Sequence, residues 1–218
     1  MKLLFFGDSI TDAGKNVETP SLVYNYGVGF VRMIADKVFH EDPEKYKIIN
    51  RGNSGNRLVD MYARMKPDVW EQEPDVVTVL AGINDIWLEL LFKNGFTVER
   101  YEKVYRLIIE ETKQALPNVK MILCEPFVLK GSATMDTEEV PNKFEMFSKI
   151  YDYAKVVKKL AKEYDLTFLP LQEKFTLATK NCKVEHYLYD GVHPNILGAN
   201  LIATEWVKCF KEKIEPLF

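Results

Sequence analysis

Cysteine is scarce in this chain: Cys124, Cys182 and Cys209 are the only three, and none forms a CxxC pair. An odd count at such spacing excludes a dense disulfide framework, so the sulfurs read as free thiols in a reducing compartment. Long apolar runs are missing too. The first, Leu3–Phe6, breaks at Gly7-Asp8. Four residues fall short of the roughly 7–15 of a signal-peptide core, and no run nears the ~18 of a membrane span. The expectation is a soluble, cytoplasmic protein that does not enter a membrane. Basic excess is also lacking, with 29 Lys+Arg against 32 Asp+Glu and a net charge of −3. This gives no field for nucleic acid and no polybasic patch for a lipid surface, and fits small, roughly neutral substrates better.

Several site signatures are likewise absent. There is no Gly-x-Ser-x-Gly elbow and no P-loop, and Gly27-Val28-Gly29 lacks the third glycine and preceding strand of a dinucleotide fingerprint. His40-Glu41 is not followed by a second histidine at zincin spacing, and His186 stands alone. No metal and no cofactor is implied.

What is present is a foldable chain. Its 218 residues are 47% apolar and 12% aromatic, enough to bury roughly 70% of the unfolded surface in one core. Without internal repeats or a dividing linker, residues 1–218 read as a single domain. Short apolar runs at Leu3–Phe6, Ile48–Ile49, Val76–Leu80, Met121–Cys124 and Thr167–Leu169 have strand length. Longer amphipathic stretches lie among them at Phe30–Phe39, Leu58–Met65, Val98–Leu116, Phe147–Tyr164 and Asn195–Ile214. In the third, Val104, Leu107, Ile108 and Glu111–Thr112 followed by Ala115 give the stripe of a helix packed on one face. Strands apolar throughout, separated by helices, predict a three-layer α/β/α sandwich around a mostly parallel sheet of about five strands.

In such a sheet, ligands bind beyond the carboxyl ends of the strands. The segments there read Gly7-Asp8-Ser9-Ile10, then Asn50-Arg51-Gly52-Asn53-Ser54-Gly55-Asn56, then Ala81-Gly82-Ile83-Asn84-Asp85. Asp190-Gly191-Val192-His193-Pro194 precedes the last helix. A carboxylate three residues from an imidazole can hold one ring N–H and leave the other nitrogen as a base. Ser9, on a glycine-flanked strand end, is the hydroxyl placed to serve as its nucleophile. The backbone N–H of Gly55 and the side-chain amide of Asn84 are donors suited to an oxyanion, each worth about 3 kcal/mol in a transition state.

These four blocks, in this order from Gly7 to Pro194, resemble the SGNH (GDSL-type) hydrolases. Ile10 stands where the family motif has leucine, a conservative change. The resemblance implies Ser9 as nucleophile, His193 as general base and then acid, and Asp190 as the residue orienting His193. It implies an oxyanion hole from the N–H groups of Ser9 and Gly55 and the Asn84 side chain. Gly52 competes for the second-block role, and the spacing Asn50-x-x-x-Ser54-Gly55 favours Gly55. Within the family, the second and third blocks and the segment Phe127–Phe144 are most similar to bacterial acetylxylan and carbohydrate esterases. Trp87, Tyr24 and Phe127 are aromatic candidates for stacking on a sugar ring or walling an acyl pocket. The expected function is hydrolysis of short-acyl esters of small carbohydrates such as xylo-oligosaccharides. The alternatives are a lysophospholipase or acyl-thioesterase using the same residues, or a binding module without catalysis. Related esterases assemble into homo-oligomers, and the sequence leaves that state open.

Overall fold

The computed structural model describes residues 1–16 and 22–218. Five parallel strands, β1 (Lys2–Gly7), β2 (Lys47–Gly52), β3 (Val76–Leu80), β4 (Lys120–Cys124) and β5 (Thr167–Leu169), form one sheet in the order β2-β1-β3-β4-β5. Each expected strand is present; β1 and β2 are longer at both ends and β4 at its start, while β3 and β5 keep the expected bounds.

Helices follow the strands in turn: α1 (Ser9–Asp12), α2 (Leu22–Asn25), α3 (Phe30–Glu41), α4 (Leu58–Ala63), α5 (Met65–Asp68) and α6 (Ile83–Phe92). The second half holds α7 (Val98–Ala115), α8 (Lys143–Ser148), α9 (Ile150–Glu163), α10 (Gln172–Ala178) and α11 (Ile196–Lys213). Helices on both faces complete the three expected layers. On one face Phe5 meets Phe30 of α3 and Trp206 of α11, while the Trp206 indole N–H donates to Thr78 Oγ1 at 2.9 Å. On the other face lie α4, α7 and α9, with Tyr101 of α7 packed against Tyr153 of α9 at 4.6 Å.

The structure corrects three details. The buried stripe of α7 is Tyr101, Tyr105, Ile108, Ile109 and Thr112, while Leu107 and Ala115 are exposed. Two tyrosines carry the stripe because their rings are largely apolar, and Tyr101 finds a partner for its hydroxyl in Ala81 O at 2.9 Å. The stretch expected as one helix over Phe147–Tyr164 is two, α8 and α9, divided at Lys149. Helix α6 covers a stretch to which no helix is assigned from sequence, because Ile83–Phe92 is so apolar that its helical period is masked.

The order β2-β1-β3 places a topological switch point at β1, where chain connections leave in opposite directions. Loops diverge there and open a crevice beyond the carboxyl edge. Ser9 sits at that edge.

Candidate active site

Asp8 follows β1 and caps α1, its Oδ1 accepting the Ile10 N–H at 3.0 Å. This cap turns the chain sharply and sets Ser9 as the first residue of α1, whose N–H has no acceptor within the helix. Ser9 is half-buried.

The second block is a built turn. Asn56 N–H donates to Asn53 O at 3.2 Å, and Gly55 between them has φ +80°, as the third position of a type II turn requires. Asp12 holds this turn from α1, its Oδ2 accepting both Ser54 N–H at 3.1 Å and Ser54 Oγ–H at 2.8 Å. The two candidate glycines differ in what they have free. Gly52 N–H donates to Asn50 Oδ1 at 2.8 Å, whereas Gly55 has open space around it.

Asn84 lies in the first turn of α6, buried, with one amide N–H donating to Asn56 O at 3.1 Å. Its neighbour Asp85 is fully buried and accepts Leu58 N–H at the start of α4, which ties the third block to the second. Burial pushes the Asp85 carboxyl well above its usual range, and the nearby Asp8 adds to that.

The loop before α11 is held as a narrow hairpin by Tyr189 N–H to His193 O at 3.0 Å and Asn195 N–H to Tyr187 O at 3.0 Å. Within it, Asp190 Oδ1 accepts the backbone N–H groups of Val192 at 2.9 Å and His193 at 2.8 Å. Oδ2 accepts the ring Nδ1–H of His193 at 2.7 Å. With that proton fixed on Nδ1, Nε2 is an acceptor, and Ser9 Oγ–H reaches it at 3.0 Å. The structure thus joins Ser9, His193 and Asp190 across 184 positions of sequence.

The charges fit this string. Burial pushes the Asp190 carboxyl up, but the hydrogen bonds from the His193 ring and from the His193 and Val192 backbone outweigh it and hold it below the usual carboxylate range. The hydrogen bond to Asp190 raises His193 above an ordinary imidazole, against the opposing effect of burial, and the Asp190 and Asp8 charges add to the rise. Asp8 itself is pushed up to about 6 by burial, against the Ile10 hydrogen bond and the attraction of His193.

The aromatic candidates part company. Trp87 is at the site, 6.0 Å from the His193 ring and edge-on to Phe147 at 5.3 Å. Tyr24 is exposed on α2, with its ring in no contact with His193 or Trp87. Phe127 is in the core, 1% exposed and packed on Phe175 at 4.4 Å, so its ring is closed to any sugar. Sequence reasoning overlooked Tyr189, which stacks on His193 at 5.5 Å with 16° between the rings. Its signal was an aromatic directly before Asp190. No catalytic group is expected after β4. There Leu129 N–H donates to Gly191 O and Ala133 N–H to Asp190 O, both at 2.9 Å, so this segment braces the Asp190–His193 loop from behind.

Among the described residues, no three His, Cys, Asp or Glu gather as metal ligands, and no helix is long and apolar enough to cross a membrane.

A hydroxyl, an imidazole and a carboxylate strung beyond the carboxyl edge of a doubly wound sheet form the kind of site found in α/β hydrolytic enzymes. Residues 5–201 match the GDSL-like lipase/acylhydrolase family, and the chain belongs to it. It is a carboxylic ester hydrolase. It is 32% identical over 213 residues to an acetylxylan esterase of Geobacillus stearothermophilus, covering 95% of this chain and 92% of that protein. The crystal structure of an acetylxylan esterase from the same organism superposes with a TM-score of 0.82 at 30% identity, over 95% of this chain and 93% of that one. A protein of Parabacteroides merdae described as a GDSL-like lipase superposes with a TM-score of 0.88 at 33% identity, over 97% and 96% of the two chains.

Proposed function

We propose that this chain removes acetyl and other short acyl groups from small carbohydrates such as xylo-oligosaccharides through an acyl-enzyme. The observation that carries the reading is the string Ser9 Oγ, His193 Nε2 at 3.0 Å and, through Nδ1, Asp190 Oδ2 at 2.7 Å. Ser9 Oγ attacks the acyl carbon while its proton passes to His193 Nε2, and the carbonyl π pair moves to oxygen. The Ser9 and Gly55 N–H groups and the free amide N–H of Asn84 are the donors for that oxyanion. Gly55 is favoured over Gly52 because the Gly52 N–H is already used by Asn50. The imidazolium, stabilised by Asp190, returns its proton to the sugar oxygen as the ester bond breaks. Water, activated by the same nitrogen, then releases acetate and regenerates Ser9.

The carbohydrate substrate is supported by the likeness to the acetylxylan esterase and by the aromatic rings of Trp87 and Tyr189 beside His193. The free thiols Cys124, Cys182 and Cys209 fit a cytoplasmic setting, which favours short oligosaccharides over polymeric xylan. The test compares p-nitrophenyl acetate, p-nitrophenyl octanoate and acetylated xylo-oligosaccharides. Preference for acetate with acetate release from the oligosaccharide is expected. Preference for octanoate would make the chain a lipid or thioester hydrolase, and turnover of none would leave a binding module.

A further inference from the structure

Between α4 and α5 lies Arg64, a residue outside all four sequence blocks. Its guanidinium rests over the Phe6 ring at 4.5 Å and uses four of its five N–H donors in different directions. Nη2–H donates to Gly7 O at 3.1 Å, at the last residue of β1 before Asp8-Ser9. Nη1 donates to Arg51 O at 3.0 Å near the end of β2, and to Asp68 Oδ2 at 2.6 Å. Nε–H donates to Asn56 Oδ1 at 2.6 Å, the residue whose backbone oxygen holds the Asn84 amide. Gly7 O also accepts Asn53 N–H at 2.9 Å, so one carbonyl joins the first block to the second. The charge is balanced by Asp68, which Arg51 also faces at 3.7 Å.

One planar group therefore touches the chain just before Ser9, the strand leading to Gly55, and the residue that anchors Asn84. These are the three sources of the proposed oxyanion donors. We infer that Arg64 is the positioning residue of the oxyanion site, fixing the spacing of Ser9, Gly55 and Asn84 without touching the acyl group. The inference rests on the reading of those three residues given above. Only an arginine can do this. A lysine ammonium is a single point with three donors and cannot reach acceptors spread along a planar fork.

Because displacement of donors by a fraction of an ångström weakens the transition state more than substrate binding, the signature is a kcat effect. Arg64→Lys should lower kcat on p-nitrophenyl acetate by about 10²-fold while KM stays within about twofold. Its thermal midpoint should stay within about 4 °C of wild type. Combined with Asn84→Ala, the loss should fall clearly short of the product of the two single losses, since part of the effect of Arg64 runs through that amide. A folded Arg64→Lys with wild-type kcat, or losses that multiply in the double variant, would overturn the inference. If Arg64→Lys does not fold, Asn56→Ala decides, because it removes the acceptor of Arg64 Nε and leaves the backbone oxygen that holds Asn84. Unchanged kcat in that variant would also overturn it. Ser9→Ala runs beside these. An active Ser9→Ala would sink the catalytic reading itself, whereas an inactive Ser9→Ala with a fully active Arg64→Lys sinks this inference alone.

Discussion

Asp190 grips His193 with both oxygens of one carboxylate, Oδ1 on the backbone N–H at 2.8 Å and Oδ2 on the ring Nδ1–H at 2.7 Å. The carboxylate thus fixes the peptide and the imidazole of the same residue, and sets both its place and its tautomer. Asparagine at this position keeps the backbone bond but permits the wrong tautomer. Asp190→Asn should lower kcat by about 10³–10⁴, below or near the loss in the chymotrypsin-type template. His193→Ala should be more damaging, and the double variant little worse than His193→Ala alone. Steady-state kinetics of the three variants check this; losses that multiply would mean the two residues do not act as a unit.

The same bond sets the pH response. His193 must be neutral to take the Ser9 proton, and its ionisation is raised by Asp190 above the ordinary ~6.5. Values of kcat/KM should rise with pH through one ionisation above 6.5 and then level off. In Asp190→Asn the midpoint should move to lower pH, because the bond that favoured the charged ring is weakened. A midpoint that stays put would assign the ionisation to another group.

Asn84 offers a direct probe of the oxyanion site. Asn84→Ala should lower kcat by about 10²–10³ with little change in KM. A large KM rise at constant kcat would make it a ground-state binding residue instead.

The second-block glycines should behave differently on substitution. A Cβ at Gly52 would stand 2.1 Å from Asp12 N, where backbone must move, while one at Gly55 meets nothing within 4 Å. Gly55→Ala meets only the strain of φ +80°, about 1–2 kcal/mol. Gly52→Ala should be the more destabilising of the two by urea unfolding. Equal losses would mean that the contact of α1 with β2 yields easily.

Buried Asp8 makes a stability prediction. Its carboxyl titrates near 6 in the folded chain against 3.8 in the unfolded one, so the folded state holds a proton that the unfolded state releases. Stability from this group therefore falls as pH rises from about 4 to 6, by about 3 kcal/mol in total. Asp8→Asn retains an oxygen for Ile10 N–H and removes the charge. It should be more stable than wild type at pH 7, and the difference should shrink toward pH 4 when both are unfolded in urea. A difference that does not change with pH would show an ordinary carboxyl.

Local sequence determined the strands and the chemistry-bearing blocks, because both are short-range properties. A run such as Val76–Leu80 is apolar on both faces only if helices cover both. The Gly, Asn, Ser, Asp and His at strand ends stand out against such runs. Asp190 and His193 lie three residues apart, so their partnership was legible too. The tertiary structure decided whatever depends on long-range approach. Phe127 reads like Trp87 in sequence, but Phe175 of α10 closes over it while Trp87 comes beside His193. Gly52 and Gly55 read alike until the Asn50 side chain claims the Gly52 N–H. Arg64 carries no local pattern beyond its pairing with Asp68 four residues on. Its acceptors, Gly7, Arg51 and Asn56, are brought within reach of one guanidinium only when β1 and β2 pair and α4 folds back beneath their ends.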